Sequence, residues 1–296
     1  MKDLFSDCSA LYQQARPSYP HHIIAEILKY VPSTHFAWDC GAGSGQFTQL
    51  LVPYFEQIVA TDMSSQQLHQ APYFENVSYQ IQHAEQTNFA DQSFDLITVA
   101  QAIHWFDFEA FYQEVVRTLK ANGVIAVIGY GTLKTQDAAL NQQIDHLYTQ
   151  ILKHDWDPER RYIDAHYHNL PFPFEILAET ETNMQFNWNK EQLLGYLNTW
   201  SAVKHHREKN NQDPLLEIIQ FLANDSQMIE VTFPIFLKVG KPQKVHTKKR
   251  HQRDFGQVLG LFKMRNLLLN SVGLVFARCI NRFRQVNHQS NVFQGK

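Results

Sequence analysis

Phe36-Ala37-Trp38-Asp39-Cys40-Gly41-Ala42-Gly43-Ser44-Gly45-Gln46-Phe47 joins an apolar, strand-like run to a helix-like one through three glycines at alternate positions. A strand that reverses into a helix beside a ligand needs torsions and close approaches that a Cβ would obstruct, and glycine permits both. The stretch therefore reads as a nucleotide-cradling turn at the end of a sheet strand. A site that grips a pyrophosphate uses G-x-G-x-x-G, with its third glycine at the helix–strand contact. Here Gly41, Gly43 and Gly45 give G-x-G-x-G. That spacing suits S-adenosylmethionine, which has no phosphate.

Working outward, Ile58-Val59-Ala60-Thr61 is a short strand ending in Asp62, seventeen residues after Gly45, where an α/β nucleotide fold sets an acid on the ribose hydroxyls. Val77 to Ile81, Phe94 to Ala100 and Gly123 to Gly129 are further strand candidates. Helical patterns at 46–55, 64–71 and 107–120 lie between them, an alternation that favours a parallel sheet covered on both faces. Ligands then sit beyond the carboxyl ends of the strands.

Several motifs resemble those of a known family: Asp39-x-Gly-x-Gly-x-Gly45, Asp62-Met63-Ser64, Ala84-Glu85, Ser93-Phe94-Asp95-Leu96 and Ala100-Gln101-Ala102-Ile103-His104-Trp105-Phe106-Asp107. Together they resemble class I S-adenosylmethionine-dependent methyltransferases of the methyltransferase-11, trans-aconitate-methyltransferase-like group. Arg16-Pro17-x-Tyr19-Pro20 is similar to that group's N-terminal cap. Thr199 to Val203 and Phe233 to Leu237 are similar to its C-terminal segment, so the likeness spans about residues 4 to 240. The resemblance implies a Rossmann-like α/β fold with a mostly parallel seven-stranded sheet, helices on both faces and a helical substrate cap.

Position by position, it implies that Gly41, Gly43 and Gly45 line the methionine part of the cofactor, with Asp39 beneath the loop. Asp62 would take the ribose hydroxyls, Met63 would pack on the adenine, and Ala84 and Glu85 would lie at its edge. Gln101 and the lid residues Arg16 and Tyr19 complete the implied cofactor set, with Trp105 and Trp200 in the substrate pocket. Where relatives carry Gly-Asp-Ala or Gly-Ser-Ala, this chain has Gln82-His83-Ala84, a departure at the adenine edge. The competing reading of Asp39 and Asp62 is structural, as strand ends and helix caps. His104 and Trp105 compete with an interior role behind the fourth strand.

Methyl transfer asks for an aligned nucleophile and exclusion of water more than for covalent help. A carboxylate acceptor needs no base, whereas a neutral hydroxyl or amine needs a proton acceptor, for which His104 is the candidate. The implied acceptor is a small molecule, and a carboxylate is one such acceptor. Two other readings stand beside this enzyme: a catalytically silent cofactor-binding or membrane-associated regulatory protein, and an NAD-dependent oxidoreductase. His166-x-His168 and His205-His206 lack metal partners nearby and read as solvated or packed histidines.

Beyond the sheet motifs, helical spacing recurs over Thr135 to Leu152 and Lys190 to His205. Met184 to Trp188 alternates like a strand, and Met228 to Val239 reads as a final strand that Pro234 assigns to an edge or bulge. The expected organisation is a methyltransferase domain over 1–240, with cap elements at about 1–22, 132–170 and 190–222, followed by a basic tail over 241–296.

The 296 residues are 44% hydrophobic and 19% charged, as in soluble globular proteins of one core plus an appendage. Three scattered cysteines imply a reducing compartment, and no basic and apolar leader pattern opens the chain, so a cytoplasmic location is expected. The net charge of −3 hides an asymmetry: 241–296 holds 12 Lys and Arg against one acid, Asp254, for +11, which leaves −14 on the first 240 residues. An acidic body argues against a nucleic-acid substrate. For the tail the sequence leaves three readings: a disordered segment without a role, an amphipathic helix at an anionic membrane or nucleic acid, or a clamp on the acidic body. Its most apolar run, Leu267 to Ala277, is shorter than the ~18 residues of a spanning helix.

Overall fold

The computed structural model describes residues 16–223 and 227–243. The basic tail, apart from its first three residues, and the start of the N-terminal cap lie outside the described residues. Five strands, β1 (Phe36–Cys40), β2 (Gln57–Asp62), β3 (Val77–Ile81), β4 (Phe94–Ala100) and β5 (Leu119–Tyr130), form a parallel sheet in the order β3-β2-β1-β4-β5. β4 is buried over nearly its whole length, as a mostly apolar strand covered on both faces must be, and its two buried polar residues are engaged, Asp95 by Lys120 and Thr98 by Asp39. α1 (His21–Leu28) precedes β1, and between the strands run α2 (Thr48–Leu51), α3 (Ser65–His69) and α4 (Phe108–Thr118), with α4 started by Asp107, whose carboxylate accepts from the Glu109 and Ala110 amides.

The second half returns antiparallel. A two-residue strand β6 (Lys134–Thr135), a long β7 (Glu175–Trp188) and β8 (Ile229–Lys241) follow, making a mixed sheet of eight strands, one more than expected because β6 is a short addition beside β8. β8 is not an edge. It pairs with β5 on one side and with β7 on the other over almost its full length. Pro234 is tolerated there because β5 has ended at Tyr130 and β6 starts only at Lys134; its carbonyl accepts from the Gly131 amide in that gap, and its ring nitrogen faces the same gap, where no donor is needed.

The cap is helical, with α5 (Ala138–His146), α6 (Arg160–Asp164), α7 (Lys190–Asn198), α8 (Ser201–Asn210) and α9 (Leu216–Phe221). Two expectations are corrected in detail. The run 135–152 becomes α5 followed by a π turn over Leu147–Ile151. The run 190–205 is two helices, broken where Trp200 takes an extended backbone (φ −69°, ψ 128°) that turns α7 into α8. α7 opens with a reciprocal capping box between Asn189 and Gln192. Among the described residues no helix is long and apolar enough to cross a membrane.

Candidate cofactor and acceptor cavity

The glycine loop leaves β1 and is tied at once to β2, with the Gly41 and Ala42 amides donating to the Thr61 carbonyl at 2.8 and 2.9 Å. Gly41 and Gly43 have φ of +70° and +56°, which side chains strongly disfavour. Space separates their roles. A Cβ on Gly41 would meet Ala102 Cβ at 2.6 Å, whereas one on Gly43 would stand in an open cradle with only Gln67 Oε1 at 3.8 Å. Asp62, at the end of β2, accepts from the Gly43 amide at 2.9 Å and the Ser64 amide at 2.8 Å, so it orders the loop as well as facing the cavity.

Asp39 is fully buried. Rather than taking the loop amides, its carboxylate accepts from the hydroxyls of Thr48 (2.6 Å) and Thr98 (2.8 Å). Burial outweighs those bonds and raises its pKa from 3.8 to about 6, with the Asp62 carboxylate adding to the rise. Two acids converging on an open glycine cradle suit a cationic ligand with ribose hydroxyls, and in that respect the residues fit S-adenosylmethionine.

One cavity runs from this loop into the cap. Gly41, Gly43, Asp39, Asp62 and Met63 line it at the loop end; Arg16, Tyr19 and Gln101 also line it, as do His104, Trp105 and Trp200. Gly45, Ala84 and Glu85 are not in its wall. Gly45 (φ +75°) is needed where a Cβ would crowd Tyr79 and Ala71, Ala84 is buried, and a Glu85 oxygen accepts from the Asp107 amide at 3.2 Å. Gln101, itself at φ +56°, uses its amide group to join the ends of β4 and β5: Nε2 donates to the Tyr130 carbonyl at 3.0 Å and Oε1 accepts from the Tyr130 amide at 3.1 Å. Arg16 donates from Nη1 to the Tyr130 hydroxyl at 2.9 Å, while Tyr19 packs edge-on to Phe47 and Tyr130.

The cap end holds groups that the motifs did not single out. Arg160 on α6 lies against the rings of Tyr148 and Trp156, with its carbon Cζ 5.4 and 5.0 Å from their centroids. Its Nε donates to the Tyr148 hydroxyl (2.9 Å) and Asp164 (3.2 Å), and Nη2 to the Thr132 hydroxyl (3.1 Å). Trp200 packs on Trp156 and Tyr148 with centroids 5.4 and 5.6 Å away. His104 is buried, and its Nδ1 lies 3.1 Å from the Tyr167 hydroxyl. Burial, helped by the Arg160 and Arg16 charges, lowers its pKa to about 3. At neutral pH the imidazole is therefore uncharged and, as a proton acceptor, far below the range in which a general base works well. Arg160 stands in Asp157-Pro158-Glu159-Arg160-Arg161, which reads as a solvated charge cluster; the one hint was Trp156 beside it.

A 3-2-1-4-5 parallel sheet, an antiparallel return strand, and a glycine loop and ribose-type acid at the carboxyl ends define a Rossmann-like methyltransferase fold. The family profile described as "Methyltransferase domain" matches residues 38–127. A protein of Dictyostelium discoideum named as a methyltransferase is 32% identical over 252 residues, covering 81% of this chain and 95% of that one. A Saccharomyces cerevisiae protein named as an S-adenosylmethionine-dependent methyltransferase is 32% identical over 127 residues, 40% of this chain and 44% of its own length. A solved structure from Anaeromyxobacter dehalogenans, named as a type II methyltransferase, superposes with a TM-score of 0.69 at 35% identity, covering 77% of this chain and 99% of that one. The chain belongs to the class I S-adenosylmethionine-dependent methyltransferases, and S-adenosylmethionine is its cofactor.

Proposed function

We propose that this chain transfers a methyl group to a small-molecule acceptor, a carboxylate fitting best, by direct in-line displacement. The observation that supports this most is the single cavity that joins the glycine cradle to the arginine- and tryptophan-lined cap. S-adenosylmethionine supplies a methyl carbon already made electrophilic by a sulfonium. The chain's part is to bind, align and dry the reactants. Gly41, Gly43 and Asp62 would hold the cofactor, with Asp39 as a buried counter-charge; Trp105 and Trp200 would wall out water and favour a cationic cofactor over its neutral product. A carboxylate is already ionised at neutral pH, which suits a site whose histidine is a weak base.

Calorimetric titration with S-adenosylhomocysteine, with NAD as control, tests the cofactor half. Saturable binding of the first alone is expected. Binding of NAD instead would favour an oxidoreductase. Transfer of labelled methyl from S-adenosylmethionine to members of a set of small carboxylic acids tests the second half, and product formed only from hydroxyl or amine acceptors would refute the carboxylate.

A further inference from the structure

Tyr167 follows α6, and three features hold it in an unfavourable backbone conformation. Its φ is +60°, and that of His166 before it is +47°, a region where a bulky residue persists only if its surroundings enforce it. Lys238 on β8, itself buried, donates from Nζ to the Tyr167 carbonyl at 3.0 Å. Phe236 packs on the Tyr167 ring at 4.8 Å and stacks on His166 at 5.1 Å. Gly129 on β5 leaves the room, since a Cβ there would meet Tyr167 Cε2 at 2.7 Å. The product of this arrangement is a buried hydroxyl 3.1 Å from His104 Nδ1, with no other hydrogen-bond partner among the described residues.

The direction of that hydrogen bond decides what His104 offers the cavity. If Nδ1 donated, the phenol proton would be buried without an acceptor, a loss a native interior avoids. The hydroxyl therefore donates, Nδ1 accepts, and the ring proton sits on Nε2. Nearby, Arg160 has Nε and Nη2 engaged and Nη1 without a hydrogen-bond partner among the described residues. We propose that Tyr167 is a positioning residue that fixes His104 as the Nε2–H tautomer, so that His104 and Arg160 together donate hydrogen bonds to an oxyanion of the acceptor. This rests on the acceptor reading above, and it gives His104 the role of a donor in place of a base. Asp157 lines the same cavity, its Oδ2 3.9 Å from His205 Nδ1, and is the negative charge the acceptor must approach.

The full chain, labelled with 15N at histidine and saturated with S-adenosylhomocysteine, reports the tautomer directly through its ring nitrogen shifts, His104 being assigned by its loss in His104→Asn. A protonated Nε2 and a bare Nδ1 are expected, unchanged from about pH 5 to 8, where an ordinary histidine titrates. Tyr167→Phe keeps the ring and should lose that preference while S-adenosylhomocysteine still binds. An Nδ1–H tautomer in the unmodified chain, or an unaltered tautomer in a folded Tyr167→Phe, would overturn the assignment.

Acetate is the second reporter. It should shift the His104 nitrogens saturably; acetamide and Arg160→Gln should each weaken the response about tenfold or more, as loss of a charge-assisted bond implies, and Asp157→Asn should strengthen it. No acetate response, or one seen only without S-adenosylhomocysteine and so at the cofactor's own carboxylate position, would refute the oxyanion subsite. Should S-adenosylhomocysteine fail to bind by calorimetry, the cofactor reading falls, and this one is then judged on the free protein by whether the acetate response is weakened by Arg160→Gln and strengthened by Asp157→Asn.

Discussion

Asp39 is a carboxylate buried between two threonine hydroxyls, and its proton is the most informative one in the cavity. Its pKa stands at about 6 in the fold against 3.8 in an unfolded chain, so the folded state binds the proton more tightly. Folding stability from this group is therefore full below about pH 4 and falls as pH rises through about 6, by an order of 3 kcal/mol for a shift of that size. Asp39→Asn should flatten that decline and leave the ligand-free protein more stable at pH 7.5, as read by urea unfolding at a series of pH values. The same change should weaken S-adenosylmethionine binding, because a counter-charge is lost. The positions of Asp39, Asp62, Gly41 and Gly43 at the mouth of the sheet were legible because a strand, a tight turn and a second strand fix their distances through the backbone, whereas the same spacing did not tell that Gly45 stands outside the cavity wall. Arg160 and Tyr167 were not, since packing of a distant cap segment, and no local spacing, brings them to His104.

At the scale of elements, the parallel strands and their helices were readable from periodicity, and the antiparallel half only in outline. Pro234 suggested an edge strand because proline lacks a donor. What the sequence could not reveal was a break between β5 and β6 on the facing side, which removes the need for that donor at one position of a central strand. Proline elsewhere in β8 should not be tolerated. Pro234→Ala should change stability by only about 1 kcal/mol, whereas Leu237→Pro, at a position paired with Ile128 and Thr180 on both sides, should lose about 3 kcal/mol or more; chemical denaturation of the two variants checks this. Trp200 gives a similar lesson. Helical spacing runs through it, yet its extended backbone splits the helix and puts the indole in the cavity wall.

For the molecule as a whole, the −14 charge of the first 240 residues acts on ligands by sign. S-adenosylmethionine carries a positive charge that S-adenosylhomocysteine lacks, so its affinity should fall more steeply as salt is raised, by screening of the exposed acids. Paired titrations at low and physiological ionic strength measure the difference, and equal slopes would mean that only Asp39 and Asp62, inside the cavity, sense the sulfonium. The position of β8 also orders events during synthesis on the ribosome. β5 and β7 are made well before the strand that must lie between them, so β5 leaves the exit tunnel with one edge unpaired and β7, which among the described residues has no other partner in the sheet, with both unpaired. Until residues 229–241 emerge, the nascent chain carries open edges on both strands, of the kind that recruit other chains, and its dependence on chaperones should be concentrated in that interval.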